Sequence, residues 1–284
     1  MDHPLRYVFH SHAAAFGGRI VRPKDVILEA QGASALLVTG GRSVATLQRT
    51  TFDEFFEVES ANTVTEGLFE DLKGFVDVTN HKAEEQSLTA VSRARAEVVG
   101  LSVGRKPRMT IKRVVAELTN RSAGHSGQPA IRIGKDVAID GISIEGHRLV
   151  VELNTKPFLK HDTHAKVLAA ADDAKFVEEA GESLFMSRRF AGTGKTPAFR
   201  KLIRTGSSIY ATIVKSIRWD GKPFPKSEIH DNVVVLPEFG RVFFGELLIA
   251  EQSRRLTMVR MALGSDAGGS ASAGDVETNG MWSP

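Results

Sequence analysis

Short runs of β-branched and aliphatic residues, each broken off by glycine, limit this chain to folds made of many short strands. Residues 7–12 precede Gly17-Gly18, residues 25–29 precede Gly32, and residues 35–39 run into Gly40-Gly41. Apolar runs of this length with turn residues between them suit a sandwich or barrel better than βαβ units, which alternate strands with helical patterns.

The middle of the chain carries the pattern furthest. Residues 109–118 include helix formers, but Ile111, Val114 and Val115 favour a strand. The Ser, Gly, His and Pro content of residues 120–129 reads as a loop, and 130–134 as the next strand. Ile139, Ile142 and Ile144 then lead into Glu145-Gly146-His147, a hairpin turn, before the alternating run 149–153. This is a meander. Strands return at 209–214, 233–236, 241–249 and 255–263, the last two joined by a link short enough for an antiparallel pair.

One helical pattern interrupts them. Asp162 or Thr163 can cap its start, and Val167, Ala171, Ala174 and Val177 recur at spacings that line one helix face up to Gly181. Two further short helices, at 184–189 and after Pro197, complete a helical insertion at 160–205. The expected fold is all-β or β-rich α+β, with antiparallel sandwich- or barrel-like sheets. Residues 1–264 are read as one β-rich domain containing that insertion, with a split near residue 157 as the other layout. The Gly/Ser/Ala-rich stretch 265–284 is read as a C-terminal tail.

The chain has no cysteine, which excludes disulfide frameworks, thiolate zinc sites and cysteine nucleophiles. Its first residues are charged and lack the apolar core of a secretory signal, and no stretch is apolar for long enough to span a bilayer. The expectation is a soluble cytoplasmic protein with no membrane partner.

Motifs that carry chemistry are few. Gly192-Thr193-Gly194-Lys195-Thr196 resembles part of a phosphate loop, but Arg189 stands where the first glycine belongs and Pro197 follows at once. It reads as a basic loop. His10 and His12 lie two apart, so a strand puts both imidazoles on one face, a spacing suited to a metal. A third ligand has to come from His125, His147, His161, Asp162, His164 or His230. Residues 124–127 and 269–272 both miss the G-x-S-x-G spacing of a nucleophile elbow, and nucleophilic catalysis is not expected. No cofactor is expected.

Charge is unevenly spread although the net is only +3. Residues 53–85 are acidic, while 183–219 contain no acid and hold Arg188, Arg189, Lys195, Arg200, Lys201 and Arg204. A second basic cluster is Arg105, Lys106, Arg108, Lys112 and Arg113. The leading expectation is a non-catalytic structural or self-associating subunit of a homo-oligomer, using complementary charge or strand edges such as 241–249. The alternatives are an enzyme or small-ligand binder with a pocket in the β framework, metal-dependent through His10 and His12, and a nucleic-acid-associated protein using the basic stretch and its aromatic neighbours.

Overall fold

A computed structural model describes residues 6–23, 25–52, 55–70, 88–124, 128–170, 173–180, 203–205, 208–264 and 268–283. The chain opens with β1 (Arg6–Arg22) and β2 (Val26–Ala35), then crosses to a second sheet. That sheet takes β3 (Gly41–Leu47), β4 (Thr50–Phe52), β5 (Phe56–Val58), β6 (Ser60–Phe69), β7 (Thr89–Val103), β8 (Met109–Ala123), β9 (Ala130–Ile133), β10 (Ala138–Ile144) and β11 (His147–Leu153). Three short helices follow: α1 (Lys156–Lys160), α2 (His164–Ala170) and α3 (Ala174–Ala180). β12 (Ile203–Thr205) and β13 (Ser208–Thr212) return to the first sheet, and β14 (Val214–Asp220) joins the second. β15 (Glu228–His230), β16 (Val233–Leu236), β17 (Gly240–Ile249), β18 (Ser253–Gly264) and β19 (Gly268–Ser283) complete the first.

Every pairing is antiparallel, so the all-β reading holds. The first sheet runs β12-β13-β17-β18-β19-β1-β2, with β16 also on β17; the second runs β14-β11-β10-β8-β7-β5-β4, with β6 on β7 and β9 on β8. The two pack face to face. Phe16 of β1 lies against Phe56 of β5 with ring centroids 5.0 Å apart, and Ser92 of β7 hydrogen-bonds Thr278 of β19 at 2.8 Å. Alternation explains the orientation: on β7, Ala90, Ser92, Ala94, Ala96 and Val98 point inward while Arg93, Arg95 and Glu97 point out. One strand changes sheet between Thr212 and Val214. The Thr212 hydroxyl holds that corner by donating to Gly245 O (2.9 Å) and accepting from Val214 N (3.1 Å).

Thr163 caps α2 as expected, its Oγ1 accepting from Lys166 N at 3.2 Å. The helical segment begins earlier than expected, at Lys156, where Pro157 suits a first turn. The continuous helix expected over 164–180 is found as α2 and α3. The helix expected at 184–189 lies outside the described residues, as does the one expected after Pro197 up to residue 202. Ile203–Thr205, the end of the helical insertion expected at 160–205, instead form strand β12 because they pair with β13. Among the described residues no helix is long and apolar enough to cross a membrane.

Three expectations are corrected. Residues 268–283 are not a tail: β19 lies between β18 and β1, paired with β18 from Gly268 to Asn279 and with β1 from Gly268 to Ser283. Its Gly, Ser and Ala residues carry little apolar signal because their job is close approach. A Cβ on Gly274 would lie 2.8 Å from Val114 of the facing sheet, and φ there is +63°. Second, Gly17-Gly18 do not end β1; a Cβ at Gly18 would meet Ser270 O at 2.4 Å, so glycine lets the strands pass. Third, the loop expected from residue 120 starts later, since β8 pairs with β7 as far as Ala123.

Candidate association edge and the predicted sites

His10 and His12 do share one face of β1, with ring centroids 6.1 Å apart. In register beside them on β19 stand Asn279 and Glu277, and His12 Nε2 lies 3.9 Å from Glu277 Oε2. Of the residues considered as a third ligand, His161, Asp162 and His164 belong to the helical segment. His147 meets Lys222 O at 2.9 Å, His230 meets Glu228 at 2.9 Å, and His125 lies outside the described residues. Among the described residues no group of three potential ligands comes together.

Arg188, Arg189, Lys195, Arg200 and Lys201, with the loop 192–196, lie outside the described residues; Arg204 is placed by its backbone on β12. The second basic cluster is dispersed. Arg108 pairs with Glu57 at 3.0 Å, Arg113 with Glu97 at 2.7 Å, and Arg105 lies over the Phe55 ring at 4.7 Å. Three acids of the acidic stretch are paired within the molecule: Glu57 also with Arg49, Glu66 with Arg42 at 2.9 Å, and Glu70 with Arg121.

These pairs belong to a charged ladder over the outside of the second sheet. Burial pulls the Glu117 carboxyl upward, but hydrogen bonds from Arg93 and Arg95 outweigh it and hold it below the ordinary range. Arg113 and Arg95 do the same for Glu97, with Arg113 the larger influence. A matching ladder crosses the first sheet, where Arg260 grips Glu246 and Arg255 grips Asp275, while the Thr257 hydroxyl donates to Asp275 at 2.9 Å.

The strand edge expected at 241–249 is not free: β17 is paired with β13, β16 and β18. The long open border is β2. Among the described residues β2 pairs with β1 alone. Leu36 N donates to Ser11 O (2.9 Å) and Phe9 N to Val38 O (3.0 Å), so the pairing continues past Ala35. On this border Ile27 is 72% exposed, Leu37 73% and Val38 64%. Glu29 is the only charge from 26 to 38. Among the other borders of the described residues, β4, β9, β12 and β15 are three or four residues long, β14 carries Lys215, Arg218 and Asp220, and β3, paired with β6 alone, is seven residues long and carries Arg42. Sequence reasoning placed the edge wrongly because strand order is a property of pairing between distant segments; the single charge in 26–38 was the available signal.

The described residues make an antiparallel two-sheet β protein with charged outer ladders and a long, largely apolar open border at β2. The chain belongs to the family described as a domain of unknown function (DUF8256), whose model matches residues 7–250. The matched region ends with β17, so β18 and β19, which lie between β17 and β1, follow it. No curated protein and no solved structure matches the chain.

Proposed function

We propose that this chain is a non-catalytic structural subunit that self-associates through the β2 border. The observation that carries the reading is the open strand pair partner at 26–38: a long edge, nearly free of charge, with three aliphatic side chains exposed along it. Such an edge presents a row of unpaired backbone donors and acceptors, and Lys or Pro, the usual guards, are missing from it. The fitting occupant is a second copy of the same edge. Two antiparallel strands related by a two-fold axis satisfy each other's backbone groups and bring the same side chains together, which makes the contact self-complementary. Complementary charge contributes less than the sequence suggests, because Glu57, Glu66 and Glu70 are already paired with arginines of the same molecule.

Sedimentation or light scattering over a concentration series tests this. The expected mass rises to twice the 30.8 kDa of the chain. A variant carrying Ile27→Lys and Leu37→Lys stays monomeric with an unchanged circular dichroism spectrum, because both positions are exposed and surface changes usually cost no more than about 0.5 kcal/mol. A wild-type protein that keeps the single-chain mass at every concentration overturns the reading.

A further inference from the structure

Arg254 is the largest fully buried side chain of the described residues, 1% exposed on the inner side of β18. Its neighbours in register are Ile249 on β17 and Thr278 on β19. One guanidinium nitrogen is engaged: Nη2 donates to His161 O, at the end of α1, at 2.7 Å. The other, Nη1, is buried and meets no acceptor among the described residues. An orphaned donor on a buried cation is costly, because the charge has given up water without a full replacement.

Among the described residues the surroundings do not supply the missing anion. Asp162 is the carboxylate that acts on Arg254, and its oxygens are already taken by Lys166 Nζ at 2.7 Å and by Arg132 at 3.1 Å. Three cations thus share one carboxylate. Burial pulls the Arg254 guanidinium down to about 10, and the charge of Asp162 opposes this only in part. A second orphan lies along the same chain of contacts. Thr278 is hydrogen-bonded to Ser92, Ser92 stands opposite Asn120, and Asn120 Oδ1 is buried without a partner.

We propose that Arg254 anchors a site for a small oxyanion, a carboxylate, phosphate or sulfate group that accepts from Nη1 beneath the α1–α2 connection. The oxyanion supplies the charge that Asp162 is too heavily shared to give, and Arg132 and Lys166 add positive potential around it. The site is independent of the β2 border. Entry requires the α1–α2 connection to lift, since it is the backbone of His161 that Arg254 holds.

Thermal unfolding of the full-length protein in sodium phosphate, sulfate or acetate, each against sodium chloride at equal ionic strength, provides the test. At least one oxyanion is expected to raise the melting temperature in a saturable way. A response to acetate alone marks a carboxylate ligand, and a response to phosphate or sulfate a tetrahedral one. Arg254→Met loses the saturable response while keeping its β-type circular dichroism. Should that variant fail to fold, Arg254→Lys keeps the charge but lacks the planar fork, and the concentration for half-saturation rises at least about tenfold. Crystals soaked in selenate show its anomalous signal at Nη1. The proposal is overturned by equal salt responses in wild type and variants, by an ordered water alone at Nη1 under saturating phosphate, or by an adventitious ion only, bound to surface lysines.

Discussion

The space between the two sheets is filled in two contrasting ways. Towards one end of β7 and β8 the filling is large and apolar, with Phe16, Phe56, Leu101, Met109 and Ile111 all at 1% exposure or less. Further along the same strands it turns small and polar: Ser11, Ala13 and Ser34 face Thr63, Thr65, Ser92, Ala94, Ala96 and Asn120. Beyond that belt a second, minor cluster of Tyr7, Phe9, Leu36 and Ala90 closes the interior with Phe69 and Trp282. Each large side chain contributes about 1.5–3 kcal/mol by leaving water. The small ones contribute little area, but they let the backbones approach and fix which residues face each other, as the Ser92–Thr278 bond does. The orphaned buried polar atoms Ser34 Oγ, Thr63 Oγ1, Thr65 Oγ1, Asn120 Oδ1 and Arg254 Nη1 belong to the belt or to the strand residue beside it. Stability is concentrated in the large-residue layer, and unmet hydrogen-bonding capacity in the belt.

The sharpest way to break this contrast is Phe56→Ala. Truncating a fully buried aromatic in a packed layer loses transfer free energy and leaves a cavity, so the expected cost is about 3–5 kcal/mol, read as a shift of the urea midpoint. A cost below about 1 kcal/mol means that the layer collapses freely and is not the stabilising one. Next in size is an alkaline transition at Tyr7, on the border between belt and minor cluster. Burial raises its hydroxyl from 10.0 to about 12, against opposing hydrogen bonds from Asn120 and Ser122. A raised folded pKa means the protonated form is favoured in the fold. The contribution is therefore complete below pH 10 and lost as pH climbs through 12. The loss amounts to roughly 2–3 kcal/mol, and Tyr7→Phe removes this pH dependence. The chain has only two tyrosines, so ultraviolet absorbance follows the late titration, and its loss in Tyr7→Phe assigns it to Tyr7.

The large-residue layer was legible in the sequence and the belt was not. Runs such as 109–118 and 255–263 show β-branched or aliphatic residues at strand spacing, and they became β8 and β18. β19 gave no such signal. Its residues are chosen for smallness between two strands and beneath a facing sheet, and smallness reads as a loop when seen alone. The same blindness hid the belt, because Ser34, Thr63 and Ser92 look solvent-facing until the pairing turns them inward. His10 and His12 were correctly put on one face, since that follows from strand periodicity. The open border and the environment of Arg254 depend on strand order, which only long-range pairing decides.

The smallest effect tests the belt itself. Thr63 is fully buried on β6 and its hydroxyl meets no partner. An unpaired buried hydroxyl costs about 1–3 kcal/mol relative to water, while valine keeps nearly the same shape without the polar atom. Thr63→Val is therefore expected to stabilise the protein by up to about 1 kcal/mol, seen as a higher urea midpoint with an unchanged slope. The sign is what matters, since Phe56→Ala moves the midpoint the other way. A loss of more than about 1 kcal/mol instead would show that ordered water bridges the belt hydroxyls. In that case the belt holds a connected hydrogen-bond network, and its polar atoms stabilise the packing rather than weaken it.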